Sequence, residues 1–320
     1  MKKTVSVLFI TAVLAFSAAA ITLPGGIEAD VSTVKKDGDA VISANLVNPV
    51  KIKTEHYGTR IIYRTVEFYP DGKIKSFYLK GTDGLSLDCT GFGSVVATTV
   101  KPVELYESGY VKSVHLRKST SLRCGIGANG KGQIEKVEAG FQHDEVTFHD
   151  NEVVESFYPA ESVNIAIAAG DGVVWLPVKR DKLLTFYESS NVKSFYPDAV
   201  IPVETPYGVI KLNPAAAVTL SEDGHAVEFA TAGLTEVKIR DQQIFIQGGT
   251  MVSFYPEGYA LYSKGTYIPS GSIKKFVADP SQESLTIDGT LYTASSPERS
   301  MVFSFNPDGT VLSMKEAVFR

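Results

Sequence analysis

The densest cluster of polar side chains able to do chemistry is Gln142–Asp150, QHDEVTFHD. On a strand, His143, Glu145, Thr147 and His149 point to one face. Two imidazoles and a carboxylate are zinc-type ligands. His143 and His149 would stand about 20 Å apart along an extended strand, so one ion cannot join them. The expectation is a solvated strand face and no metal. Gly125–Gly130, GIGANG, fits G-x-G-x-x-G, a spacing that cradles a pyrophosphate only between a strand and a helix. No helical pattern follows it, so a glycine-rich turn beside Cys124 is expected, with no dinucleotide or other cofactor. Nucleophilic catalysis needs a Ser or Cys beside a His and an orienting acid. His56, His115, His143, His149 and His225 are present without any G-x-S-x-G. A carboxylate pair for glycoside cleavage can be remote in sequence, and nothing among 36 acids singles out two. No catalytic set is expected, and an enzyme is the less favoured class.

What must position any working surface is a repeated phrase. YRTVEFYPDGKIKSFYLK covers Tyr63–Lys80, and pieces return at Pro102–Leu116, Glu145–Pro159, Leu183–Pro197, Met251–Ser263 and Met301–Ser313. Self-similarity of this kind marks a repeat architecture. Phe77, Val114, Phe157 and Phe195 align in successive copies and would form an apolar ladder. Tyr78, His115, Tyr158 and Tyr196 alternate with them and would line the opposite face. These four are the candidate binding surface, because flat aromatics with polar tips suit sugar stacking or anchoring a protein partner. Tyr–Tyr contacts between copies, serving stability alone, are the structural alternative.

Nearly every segment reads as a short β-branched or aromatic strand bounded by turn residues, which makes the chain all-β. Asp-Gly occurs at Asp37, Asp71, Asp83, Asp171, Asp223, Asp288 and Asp308, each a turn centre. Between copies lie two further strands, and VKIKTEHYGTRII (Val50–Ile62) resembles VIPVETPYGVIKL (Val200–Leu212). Landmarks Phe68, Leu105, Phe148, Phe186 and Phe229 recur about every 40 residues, and the spacing degenerates beyond Phe229. With a two-residue turn at Asp71-Gly72, Ile74 falls on the face of Tyr78 and not of Phe77; a bulge or corner near Gly72 would repair the register.

A period near 40 suits a β-solenoid or roll of stacked coils, or alternatively a β-propeller. Cys89 and Cys124 occupy matching positions in consecutive repeats, and export would oxidise them. In stacked coils matching strands lie about 4.8 Å apart, within disulfide reach. In a four-strand meander they lie near 19 Å apart, and in facing blades near 10 Å. A Cys89–Cys124 disulfide and stacked coils are therefore expected together, with free or loop-bridged thiols as the alternative.

FYPDGKIKSFYLKG (Phe68–Gly81) and FYPEGYALYSKG (Phe254–Gly265) resemble the variant MORN repeats of bacterial exported and surface proteins. The resemblance covers six short segments. It implies arrays of β-hairpins used as scaffolds and interaction surfaces, with no catalytic residues to carry over. Family copies run about half the present period, so strands such as GSVVATTV have no counterpart there.

Residues 1–20 read as a signal peptide: Lys2 and Lys3, an apolar stretch Thr4–Phe16, then Ala18-Ala19-Ala20 as cleavage site. A periplasmic or extracellular location follows, with no transmembrane segment in the mature chain. Loss of Lys2 and Lys3 takes the formal charge from -5 to -7, without a basic stripe, which disfavours nucleic acid. The expected organisation is a lead-in over 21–40, a β-repeat array over 41–230, and degenerate repeats or a cap over 231–320. The expected function is a non-enzymatic envelope scaffold or protein-interaction surface. The partner is an envelope protein or a glycan; a glycan-binding module is the alternative, and a glycan-active enzyme a more distant one.

Overall fold

The computed structural model describes residues 20–318 except 24–25, 82–85, 90–92, 125–132, 138–142, 170–171, 241, 257–267 and 270. Residues 1–19 of the signal-peptide segment and the whole G-x-G-x-x-G segment therefore lie outside the described residues. The chain is all-β, as expected, and seventeen strands form one long antiparallel sheet. No helix among the described residues is long and apolar enough to cross a membrane.

The long sheet is a row of hairpins laid down in chain order. It starts with Lys35–Asp37 and Ala40–Asn45, then Gly58–Phe68 with Ile74–Leu79, then Val103–Leu105 with Val111–His115. Glu145–Phe148 with Val154–Phe157 follows, then Leu184–Phe186 with Val192–Phe195, then Val218–Leu220 with Ala226–Ala230. Met251–Phe254 with Ile273–Val277 and Ser300–Phe305 with Val311–Ala317 bring the row to sixteen, and Val50–Thr54, branching from Gly58–Phe68, is the seventeenth strand. The first and last strands of the row each have one neighbour among the described residues, so the row of hairpins is open at both ends.

Between successive hairpins the chain leaves the sheet, makes a second hairpin, and returns. These are Ser86–Cys89/Gly93–Val96, Thr120–Cys124/Gln133–Val137, Val163–Ala169/Gly172–Val178, Pro202–Thr205/Gly208–Lys211, Thr235–Ile239/Gln242–Ile246 and Ser284–Ile287/Thr290–Thr293. Two more precede them: Ala20–Leu23/Ile27–Asp30, and Val50–Thr54 paired with the first half of Gly58–Phe68. Gly58–Phe68 passes from one hairpin to the other through Arg64, which takes a φ of 62° where the register breaks. Inward residues of both layers, such as Phe77, Phe157 and Phe229 from the sheet and Ile165, Leu176 and Ile244 from the hairpins, join one core. Phe157 stacks on Phe186 at 5.8 Å, and Phe229 on Phe254 at 5.4 Å. Each fully buried Phe is worth about 2–3 kcal/mol of apolar transfer, so this seam dominates cohesion.

The register problem is solved by a bulge that recurs in every copy. Glu67 faces Ser76 while Phe68 faces Ile74, leaving Lys75 extra. The same shift follows Glu104, Thr147, Thr185, Thr219, Ser253 and Ser304. The turn explains it. Gly72 N–H donates to Tyr69 O at 2.9 Å, Asp71 Oδ1 accepts from Lys73 N at 3.0 Å, and Gly72 has a φ of 87°. A type I turn ending in a left-handed residue inserts one residue and so returns Phe77 to the core. Glu152 and Ser190 hold the same left-handed position at φ 63° and 70°.

Two expectations need restating. The stacked-coil reading placed matching strands of consecutive repeats side by side. In the sheet an intervening strand separates them by about 10 Å, because each unit contributes a hairpin and not a single strand. The pattern also does not run down at Phe229. That residue lies on the second strand of its hairpin, and Leu220 takes the landmark place, followed by Phe254 and Phe305. The same sheet therefore crosses residue 230 without a break.

Candidate functional site: the outer face of the sheet

Strand alternation turns Phe77, Val114, Phe157 and Phe195 inward and leaves Tyr78, His115, Tyr158 and Tyr196 half-buried on the outer face. The register puts them in one row. Tyr78 pairs with Tyr63 and His115 with Glu145, while the partners of Phe157 and Phe195 place Leu183 beside Tyr158 and Ala217 beside Tyr196. Six strand spacings separate Tyr78 from Tyr196, roughly 30 Å. The four do not meet as a Tyr–Tyr ladder. Each tyrosine instead meets a cation or imidazole: Arg64 lies 4.8 Å from the Tyr63 ring and 5.8 Å from Tyr78, Lys182 lies 5.6 Å from Tyr196, and His143 stacks on Tyr158 at 4.3 Å. Such pairs add about 0.5–1 kcal/mol at an accessible site and fix ring orientation.

His115 holds the most charged part of the row. Its Nδ1 lies 3.2 Å from Asp144 Oδ1, and Lys101 Nζ donates to the same oxygen at 2.8 Å. Burial raises the Asp144 pKa, but the hydrogen bonds from Lys101 and His115 and their charges outweigh it and hold the carboxyl below its ordinary value. The remainder of the QHDEVTFHD cluster disperses. His149 Nε2 is 3.0 Å from the Phe186 carbonyl, and His143 faces Tyr158. Among the described residues no group of three or more His, Cys, Asp or Glu is arranged to hold a metal.

Between this row and the turns runs a belt of hydroxyls. Ser113, Thr147, Ser156, Thr185, Ser194 and Thr219 are direct cross-strand partners over six consecutive strands. Thr147 and Ser156 share a hydrogen bond of 2.7 Å, as do Thr185 and Ser194. One proton of each pair is used internally and the other is free to turn outward. A shallow groove of about 470 Å³ lies over these four hydroxyls, with Glu155 and Lys193 on its walls.

The sequence pointed to the wrong tyrosines for inter-repeat contact. Tyr69, Tyr106, Tyr187 and Tyr255, the first residues of their turns, reach into the next copy. Their hydroxyls donate to the carbonyls of Leu105, Phe148, Leu220 and Phe305 at 2.7, 2.7, 2.8 and 2.8 Å. His149 holds the equivalent place in its copy. Burial, then nearby carboxylates led by Glu107, Glu155 and Glu222, raises the pKa of Tyr69, Tyr106 and Tyr187 respectively. The signal was the tyrosine that opens each turn, in FYPDG, LYESG, FYESS and FYPEG.

Cys124 is buried at the end of its strand, and Cys89 ends the strand Ser86–Cys89. Gly93–Val96 of the first hairpin lies beside Thr120–Cys124 of the next. The Cys89 side chain, and with it the expected disulfide, lies outside the described residues. No protein-family model matches the chain, and no curated protein matches it.

Proposed function

We propose that the chain is an exported, non-enzymatic β-repeat protein that serves as an envelope scaffold and protein-interaction surface. The observation that carries this reading is the tyrosine staple, one contact repeated from copy to copy that locks successive hairpins into a continuous face. The candidate residues support it by their spread, since a row roughly 30 Å long suits an extended contact better than a converging site. Descent from MORN-like hairpins and a Cys89–Cys124 bond between neighbouring hairpins belong to the same reading. Its test is photo-cross-linking in cells, with the probe at Lys112 and at Lys193 on the exposed bulges. Recurrent envelope proteins attached at both positions are expected. A chain attached only to itself sinks the scaffold.

The groove over Thr147, Ser156, Thr185 and Ser194 favours a second reading, a glycan-binding module. Hydroxyls flanked by Tyr158 and Tyr196 suit the polar edge and apolar face of a sugar ring. Sugar binding abolished by Tyr158→Ala together with Tyr196→Ala is the result expected. Binding to no glycan on an array removes it.

A further inference from the structure

The hairpins Val50–Thr54/Gly58 onward and Pro202–Thr205/Gly208–Lys211 are built alike. Thr54 Oγ1 donates to Gly58 O at 2.8 Å and Thr205 Oγ1 to Gly208 O at 2.7 Å. At each tip a tyrosine oxygen accepts a main-chain N–H from the long sheet: Tyr57 from Val111 at 2.9 Å, and Tyr207 from Ile273 at 3.2 Å. Ile52 and Val203 are the matching inward residues, both buried.

One difference separates them. The outer edge of Pro202–Thr205 carries an added strand, Ile268–Pro269, in the only parallel pairing among the described residues, with Val203 opposite Ile268 and Glu204 opposite Pro269. The matching strand Val50–Thr54 pairs only with Gly58–Phe68 among the described residues. Beside it opens a cavity of about 400 Å³, a size common for ligand sites. One wall is the unbroken run Lys51–Glu55, with Ile27 also lining the cavity. A run of consecutive residues along a wall means that the cavity follows the strand, about 16 Å for five residues.

We propose that this edge receives an extended peptide of a partner protein by strand addition, as Pro202–Thr205 receives Ile268–Pro269. The inference rests on the scaffold reading, and it places a second contact away from the outer face. Main-chain hydrogen bonds to an unpaired edge supply affinity, and alternate side chains supply specificity. Phe68, Ile74 and Leu105 offer an apolar floor to every second residue of the peptide. Lys51 and Lys53 are exposed on the rim, and neither has an ion-pair partner among the described residues. Glu55 and Glu107 also line the cavity, so the peptide recognised alternates apolar residues with acidic ones opposite Lys51 and Lys53 and carries no acid at the Glu55 end.

The test uses the full mature chain and a displayed library of random peptides. Selected sequences should alternate apolar and acidic positions, and their binding should slow amide exchange within residues 50–54. Lys51→Glu with Lys53→Glu, both exposed and so harmless to folding, should weaken them by roughly tenfold or more. Lys112→Glu with Lys193→Glu on the outer face should leave binding unchanged. Peptides that bind without protecting 50–54, peptides indifferent to the Lys51/Lys53 reversal, or no enrichment at all would each overturn the proposal. So would a fluorescent fatty acid that fills the cavity where no peptide does. If the outer-face probes still capture a partner in these cases, the scaffold stands and only the edge site falls. If they capture nothing, both fall.

Discussion

Removing the staple hydroxyls should loosen the array additively. Tyr69→Phe, Tyr106→Phe, Tyr187→Phe and Tyr255→Phe each delete one hydrogen bond of 2.7–2.8 Å and keep the ring. The net worth of such a bond is about 1 kcal/mol, held near that value here because half-buried sites let water partly replace the lost donor. The staples share no partner and sit at least two strands apart, so the quadruple variant should lose about 4 kcal/mol. For a chain of this size that is about 6 °C in Tm. The assay is denaturant unfolding, reading the midpoint at unchanged slope. Tyr292→Phe, whose ring meets Phe303 edge-on at 5.2 Å, is the control and should change nothing. The same tyrosines predict an alkaline limb. Burial lifts Tyr69, Tyr106 and Tyr187 above the ordinary phenol value of about 10, so the folded state prefers the neutral ring. Their contribution is complete below about pH 10 and is lost as pH rises through the folded values, and the Phe variants should flatten that loss. A quadruple variant with the wild-type midpoint would refute the staple argument.

At the acid end, Asp144 titrates below its ordinary value, so its stabilisation is whole above about pH 4 and disappears as pH falls through the folded value. Asp144→Asn should cost about 1–2 kcal/mol at pH 7 and flatten the acid limb of a stability–pH curve. Cys124→Ser should cost about 2–4 kcal/mol under oxidising conditions, the worth of the proposed bond to Cys89. An unfolded, unreduced chain that titrates with two thiols would remove that bond.

The hairpin phrase was legible because its turn is chemically explicit. Tyr69-Pro70-Asp71-Gly72 and Asn306-Pro307-Asp308-Gly309 carry the oxygen that caps the turn and the glycine that admits a positive φ. The need for a bulge was legible too, since strict alternation would put Ile74 and Phe77 on opposite faces. Phase was lost at residue 220 because Val218–Leu220 and Ala226–Ala230 are both short apolar strands, and AVEF mimics VEFY more closely than VTL does. Ser221-Glu222-Asp223-Gly224 would have corrected it, since Gly224 N–H donates to Ser221 O as Gly72 does to Tyr69. The cysteine spacing bears on a different layer. Matching positions need not share a sheet when the repeat folds into two layers, and both cysteines lie in the second. The staples left no side-chain partner to find, because a main-chain carbonyl receives each hydroxyl. Alternation put the outer row on one face, but its partners Lys182, His143 and Asp144 come from turns and strand ends and Arg64 from a register break, none of which periodicity reaches.

Strand order equal to chain order has a mechanical consequence. Pulled apart by its two ends, a sheet of this kind presents its cross-strand bonds to the load in sequence, like a zipper. A sheet whose terminal strands lie side by side meets the same force with all its bonds at once, in shear. Among the described residues each strand of the row of hairpins hands the tension to the next in the row, through Val218–Leu220 to Ala226–Ala230 to Met251–Phe254 and onward. Only the strand pairing of Ile268–Pro269 with Pro202–Thr205 bypasses that order among the described residues. The molecule should therefore lengthen in small steps, one unit per step, each step yielding at low force and re-forming when the tension drops. Tethered between two bodies, it would behave as an extensible spacer whose reach grows with load.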